Sequence, residues 1–233
     1  MKRNILLGIV MMVAGSLLAA EAGAKEDVTG AAKKLGDKGN YSWKSTMEAG
    51  NFNGTTDGKT DKEGLVCLSM TFGDNTTEAF VQGGKGAVKA ADQDWQSLSD
   101  MAANTDPGPR RFLVRRLQTF KAPVAEVADL ADKAKELKKD GDAYSGDLTE
   151  AGAKELVGFG GRRGGNAPEP KNAKGSVKFW TKDGVLSKYE LKVQGTVNFN
   201  GEDRDVDRTT TVEIKDVGTT NIEVPEAAKK KMG

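Results

Sequence analysis

The sequence lacks histidine and has a single cysteine, Cys67, in 233 residues. Histidine is the commonest general base and metal ligand, so its absence excludes Ser-His and Cys-His nucleophile pairs and leaves zinc or haem without a ligand set. Cys67 lies between Val66 and Leu68 in a strand-like stretch, which indicates a small apolar residue and not a reactive thiol. With no internal disulfide available, the fold must rest on its hydrophobic core. We expect no metal and no cofactor.

No catalytic motif stands out among the other polar residues. Carboxylates are plentiful, but the pattern does not single out an acid and base pair of the kind a glycosidase uses. Three aspartates alternate as in a calcium loop, but Arg208 and Ile214 replace its glycine and bidentate glutamate. These aspartates are Asp203, Asp205 and Asp207. We interpret residues 200–207 as a solvated hairpin turn, and we predict that the protein is not an enzyme.

The N-terminus has the three parts of a secretory signal peptide. Lys2 and Arg3 are basic, residues 5–20 are apolar, and Ala22 to Ala24 supply the small residues that precede a cleavage site. The apolar stretch is shorter than the roughly 20 residues that span a bilayer, so cleavage is favoured over an uncleaved anchor. We predict that residues 1–24 are removed on export, to a bacterial periplasm or, as the alternative, to the extracellular space.

Charge and length narrow the class of protein. The chain has 35 basic and 34 acidic residues, and loss of Lys2, Arg3 and Glu21 leaves 33 of each. A neutral chain does not suit nucleic-acid binding, which rewards a large basic excess. Residues 25–233 fit one domain, and we expect a monomer without a nucleic-acid partner.

Strand periodicity dominates both ends of the mature chain, and helical periodicity dominates its middle. Predicted strands begin at Tyr41 and at residues 65, 76 and 87, and later cover 176–181, 185–194, 196–199 and 209–215. A helical insertion is predicted over residues 107–158. Its second helix runs from Pro123 to near Lys139 and its third from Thr149 to Val157. Residues 158–174 are rich in glycine and arginine, which predicts a flexible loop.

The first helix of the insertion is amphipathic. On a helical projection its apolar side carries Leu113, Val114, Leu117 and Phe120. The other side is basic, and two interpretations remain open: a solvated face, or a contact with anionic headgroups or a partner. Its residues are Arg111, Arg115 and Arg116.

The order of strands, helices and strands predicts an α+β fold. One antiparallel sheet would twist into an unclosed half-barrel, with the inserted helices over its concave face. A ligand would lie between the sheet and the helices, because sites of this kind are concave and apolar.

Several segments resemble the LolA-like superfamily of bacterial lipoprotein and lipid carriers, including the LppX and LprG group. They are the hairpin from Gly175 to Val193, the ending from Asp216 to Ala228 with its Ile-Glu-Val-Pro, and the section from Phe80 to Ala90 followed by Asp94-Trp95. The resemblance covers most of residues 41–228 in the order of elements. It implies an unclosed barrel with helices over its concave face, holding an acyl chain or lipid. Transient contact with a membrane surface is a separate expectation, which rests on the basic face of the first inserted helix.

The resemblance and the alternation together predict cavity-lining residues. They are Trp43, Met47, Val66, Leu68, Met70, Phe80, Trp180, Tyr189, Leu191, Val193 and Phe199. Our leading hypothesis is an exported, non-enzymatic protein that binds a hydrophobic or amphipathic ligand, with a lipid or lipoprotein acyl chain as the partner. The alternative is an envelope structural or interaction module with a solid core and no small-molecule ligand.

Overall fold

The computed structural model describes residues 14–50, 52–91, 93–103, 109–158, 169–199 and 201–233. Side chains are described from Gly23 onward, except those of Pro109 and Phe199. The first half of the predicted signal peptide and most of the predicted 158–174 loop lie outside these ranges. In the described part of the chain, none of the helices has the length and apolarity that a membrane crossing requires.

The described residues form eleven strands and six helices in one α+β unit. The strands are β1 (Tyr41–Ala49), β2 (Phe52–Thr60), β3 (Val66–Phe72), β4 (Asn75–Gln82), β5 (Lys85–Ala90), β6 (Gln96–Ser97), β7 (Lys138–Asp140), β8 (Ala143–Asp147), β9 (Lys171–Lys182), β10 (Val185–Phe199) and β11 (Glu202–Lys215). The helices are α1 (Ala14–Gly36), α2 (Leu98–Ala103), α3 (Pro109–Gln118), α4 (Pro123–Lys133), α5 (Glu150–Val157) and α6 (Glu226–Met232).

All eleven strands belong to one open antiparallel sheet, in the order β6-β5-β4-β3-β2-β1-β11-β10-β9-β8-β7. The first and last long strands, β1 and β11, pair with each other in the middle, and Trp43 lies opposite Ile214. The sheet does not close, because its edges are the two short strands β6 and β7. The predicted fold class, an unclosed antiparallel sheet with helices, is confirmed.

Two strands differ from the sequence prediction. Strand β2 was expected to be a polar connection, but it pairs with both β1 and β3 along its length. Strand β11 begins at Glu202, so the predicted turn over residues 200–207 is wrong. The backbone there continues the ladder with β10, and Asp203, Asp205 and Asp207 accept hydrogen bonds from side chains of β10 at 2.9 Å.

Helix α4 is shorter than predicted. It ends at Lys133, because the following backbone joins the edge of the sheet: the Lys135 amide donates to the Asp147 carbonyl at 2.8 Å. The predicted end near Lys139 instead belongs to β7. Helix α5 matches its prediction, with Thr149 as N-cap accepting a hydrogen bond from the Gly152 amide at 3.1 Å.

Helices α1 to α5 cover one face of the sheet, the inner face, and the main core lies between these helices and the sheet. Helix α1 contributes Val28, Ala31, Ala32 and Leu35 to this core, at helical spacing. Helix α1 was not predicted, because it runs on from the predicted signal peptide without a separate start signal. Cleavage after Ala24 would leave these four residues in place, and that cleavage stays a prediction.

A second, smaller core lies on the outer face of β3 to β5. It is formed by Phe80 and Ala87 under the C-terminal segment, where Ala228 of α6 is fully buried. Cys67 packs at its margin, and burial raises the pKa of the thiol, which keeps it protonated and unreactive.

Glycines on the inner face of β2 make room for large rings on the neighbouring strands. Gly58 lies opposite Trp43, and a Cβ atom at this position would overlap the indole ring. Gly54 has the same relation to the ring of Phe72. The glycines of β2 therefore serve packing, because aromatic rings from β1 and β3 occupy the space that larger side chains on β2 would take.

We expect Gly58→Ala to destabilise the protein by about 1–3 kcal/mol, because the added methyl group must displace the buried Trp43 ring. Gly30→Ala in α1 is the matched control, since the space around it is open and alanine is favoured in a helix by about 0.5–1 kcal/mol. Chemical denaturation monitored by tryptophan fluorescence would measure both. Equal stability of Gly58→Ala and wild type would show that Trp43 is not fixed over β2.

Candidate functional site

The structure gathers most of the predicted cavity residues on the inner face. Those on this face by strand alternation and register are Trp43, Met47, Val66, Leu68, Met70, Tyr189, Leu191 and Val193. All of them are buried except Met47, which is half-buried near the end of β1. Whether they line a ligand cavity stays a prediction.

Three predicted residues are placed elsewhere. Phe80 belongs to the outer core, with its ring centroid 5.4 Å from that of Trp95. Trp180 alternates with the buried Phe179 and so lies on the outer face, where the Nζ atoms of Lys178 and Lys188 are each 5.0 Å from its ring centroid. Phe199 ends β10, and its side chain lies outside the described part of the protein.

Side chains fill the middle of the space between sheet and helices. Leu68, Tyr189 and Val193 on the sheet, and Val28, Leu35 and Val127 on the helices, are at most 1% exposed. Two clefts in the described part of the chain lie away from this core. One, of about 700 Å³, is lined by lysines and acidic residues beside α5, and the other, of about 310 Å³, lies beside Cys67 and residues 221–223.

The inner face becomes open toward the hairpin between β1 and β2. Phe52 is 52% exposed, and its ring stacks on the half-buried Phe72 with centroids 5.5 Å apart. Met47 lies on the same face beside Gly54. Phe112 of α3 is 57% exposed, and it lies on the α3 side that carries Arg116, because residues four apart share a helix face. We call these four apolar residues, Met47, Phe52, Phe72 and Phe112, the mouth.

Charged groups meet on the inner face next to the mouth. Glu126 of α4 accepts a short hydrogen bond from the Tyr189 hydroxyl of β10. Burial of Glu126 raises the pKa of its carboxyl group, and the hydrogen bond from Tyr189 and the charge of the nearby Arg116 only partly oppose this shift. The Tyr189 hydroxyl has a pKa well above its usual value for the same reason, so it remains a donor.

Two arginines from different elements complete this group. The Arg116 guanidinium of α3 lies 5.6 Å from the Phe72 ring centroid. Arg208 of β11 is opposite the buried Val193 and donates through Nη2 to the Leu156 carbonyl at 2.8 Å, near the C-terminus of α5. Burial lowers the pKa of both guanidiniums, and the charge of Arg116 lowers that of Arg208 further. We call Glu126, Tyr189, Arg116 and Arg208 the charged cluster.

The predicted basic face of α3 is therefore divided. Arg111 and Arg115 are exposed, whereas Arg116 is half-buried and directed to the inner face. The reason is helical spacing: Arg116 follows Leu113 by three residues and precedes Phe120 by four, so it shares their side. This spacing was present in the sequence. The sequence did not indicate that Arg116 would lie near Glu126 and Arg208, because these two residues belong to other elements.

Among the described residues, histidine, cysteine and acidic side chains do not gather in groups of three or more that would hold a metal ion. The charged cluster has one carboxylate and two guanidiniums. Such a set is suited to binding an anion and not a cation.

Comparisons with known proteins find likenesses to solved structures. LprF from Mycobacterium bovis is 13% identical, with a TM-score of 0.47 over 89% of this chain and 98% of its own. A DUF1329 family protein from Desulfovibrio piger is 8% identical, with a TM-score of 0.29 over 86% of this chain and 95% of its own. No protein-family model and no curated protein matches the sequence.

We expect Glu126→Gln to change how stability depends on pH. The folded protein holds the Glu126 proton above its ordinary pKa of 4.5, so wild type loses stability as pH rises through the window above that value. Glutamine has no proton to lose. Chemical denaturation at pH 4.5 and at neutral pH would measure the free energy of unfolding of both proteins. The stability of the variant relative to wild type should therefore increase as pH rises. A difference that stays constant would contradict the burial of this carboxylate.

Proposed function

We propose that this is an exported, non-enzymatic binding protein that holds an amphipathic, lipid-like ligand at the mouth, between the inner face and α3. The observation that carries the proposal is the mouth itself. It places exposed and half-buried aromatic rings at the open end of a core that is otherwise closed. The signal-like N-terminus supports export, and a bacterial periplasm is the location we propose.

Burial of apolar surface would provide the affinity. Phe52 and Phe112 each keep more than half of their surface exposed, and complete burial of a phenylalanine side chain contributes about 1.5–3 kcal/mol. An acyl chain against both rings would recover part of this free energy. The same exposed rings would favour transient contact with a membrane surface, where such a ligand is collected or delivered.

Helix α3 is the element we propose as the cover. The backbone of α1 lies against α4 and β10, and that of α5 lies against β9 and β10, whereas α3 has its backbone neighbour in α2. Its anchors to the main core are side chains, chiefly the buried Val114 and Leu117. A ligand would move α3 outward and take the place of these contacts. Such a movement leaves the pairing of the sheet intact.

A second candidate function is an envelope interaction module that works through its surface. The packed centre of the inner face favours it, because fully buried residues such as Leu68 and Val193 leave no room there for a ligand. The two candidates differ at the mouth. The first requires a small molecule to bind there, and the second does not.

Native mass spectrometry of protein purified from the exported fraction without detergent would distinguish them. We expect an adduct of lipid mass that is lost on denaturation and is identified after organic extraction. A bare protein mass that stays unchanged after incubation with envelope lipids would contradict the binding function and favour the interaction module.

We expect the double variant Phe52→Ser with Phe112→Ser to lose at least about tenfold in affinity for a fatty acid, because two apolar contacts are removed. Val217→Ser is the matched control. Val217 is also apolar and exposed, at 37%, but it follows β11 at the opposite end of the sheet. Equilibrium binding of radiolabelled fatty acid would measure the effect. If the control loses as much affinity as the double variant, the mouth is not the binding site.

A further inference from the structure

We infer that Arg116 and Arg208 bind the anionic group of the ligand, a single negative charge such as a carboxylate or a phosphodiester. This inference rests on the proposed function, because it assumes that an amphipathic molecule occupies the mouth. It specifies that the polar end of the ligand is anionic, and it therefore predicts a preference for anionic over neutral lipids.

Arg116 lies beside the aromatic rings of the mouth. Arg116 reaches the inner face over the Phe72 ring, and Phe72 stacks on Phe52 at the edge of the mouth. Charge and exposed apolar surface are therefore adjacent. An acyl chain lying on the rings of Phe52 and Phe72 would bring its polar end next to the Arg116 guanidinium. This order of polar and apolar contacts matches an amphipathic molecule.

The second support is orientation of Arg208. Its register partner Val193 is fully buried on the inner face, and residues opposite each other in a sheet point to the same side. The hydrogen bond to the Leu156 carbonyl holds the guanidinium at the C-terminal end of α5, where a cation is favoured by the helix dipole. Arg208 is thus held on a second element, β11, at the end of α5.

The third support is charge. Glu126 is the carboxylate whose charge acts on both guanidiniums, and it also accepts the Tyr189 hydrogen bond. The charged cluster therefore brings two guanidiniums and one carboxylate together. Half-buried like charges repel at low dielectric, and a monoanion between them would remove this repulsion. Arginine also presents paired donors that match carboxylate and phosphate oxygens.

The test compares oleate with methyl oleate, which have the same chain and differ in charge. Equilibrium binding to the full-length exported protein is measured for wild type, Arg116→Gln, Arg116→Lys and Arg111→Gln. We expect wild type to prefer oleate by about tenfold, as a charge-assisted hydrogen bond provides. Arg116→Gln should abolish the preference while methyl oleate still binds, and Arg116→Lys should keep part of it. Arg111→Gln, an exposed arginine of the same helix, should behave as wild type.

Arg208→Gln should also abolish the preference, and thermal unfolding would establish that it is folded. Inorganic phosphate in equimolar amount should not displace oleate, and displacement would show a free-anion site and overturn the headgroup assignment. Equal binding of oleate and methyl oleate by wild type, or a preference that survives Arg116→Gln, would overturn the anion site alone. Failure of wild type to bind either molecule would overturn the proposed function as well.

Discussion

Buried tyrosine hydroxyls attach the helices to the sheet. The sequence has three tyrosines, and each hydroxyl binds a helix from the inner face. Tyr144 donates to Asp27 of α1 at 3.0 Å, Tyr41 accepts from the Val124 amide at the start of α4, and Tyr189 donates to Glu126 of α4. Burial raises the pKa of Tyr41 to about 12, so its hydroxyl stays neutral across the physiological range. Helices α1 and α4 are thereby fixed to the sheet.

None of these three tyrosine hydrogen bonds reaches α3, so we expect α3 to be held less firmly than α1 and α4. Its link to the inner face is the Arg116 guanidinium over Phe72, supported by buried Val114 and Leu117. Regions with fewer buried contacts open at lower free energy than the global core. We therefore expect α3, the proposed cover of the mouth, to open at a lower free energy than α1 and α4. Binding, in this account, uses local opening and not rearrangement of the sheet.

Strands were predicted correctly where apolar and polar residues alternate clearly. A strand was missed where small residues on its inner face make room for large side chains from neighbouring strands. Strands β1 and β3 were evident from Trp43, Leu68 and Met70. Strand β2 was not, because after Phe52 its inner positions are glycine and threonine, and the two glycines accommodate rings from the neighbouring strands. Trp180 follows Phe179 directly, so one of the two had to face outward, and the sequence did not indicate which. Alternation alone also did not reveal that Phe80 would pack under the C-terminal helix.

Only one member of the charged cluster, Arg116, could be assigned to the inner face from the sequence. Helical spacing already placed Arg116 beside Leu113 and Phe120, although its basic neighbours Arg111 and Arg115 suggested a solvated face. No local pattern connects Arg116 with Glu126 or Arg208, because their approach depends on the pairing of β10 with β11 and on the docking of α4. Long-range contacts of this kind follow from the fold and not from sequence spacing.

Hydrogen exchange of the ligand-free protein would show whether α3 is the weakly held cover of the mouth, since it measures the opening free energy of each helix separately. We expect the amides of α3 to exchange much faster than those of α1 and α4, and to become protected when a fatty acid is bound. Protection of α3 equal to that of α4 without a ligand would contradict this expectation, because the mouth would then have no weak cover to open.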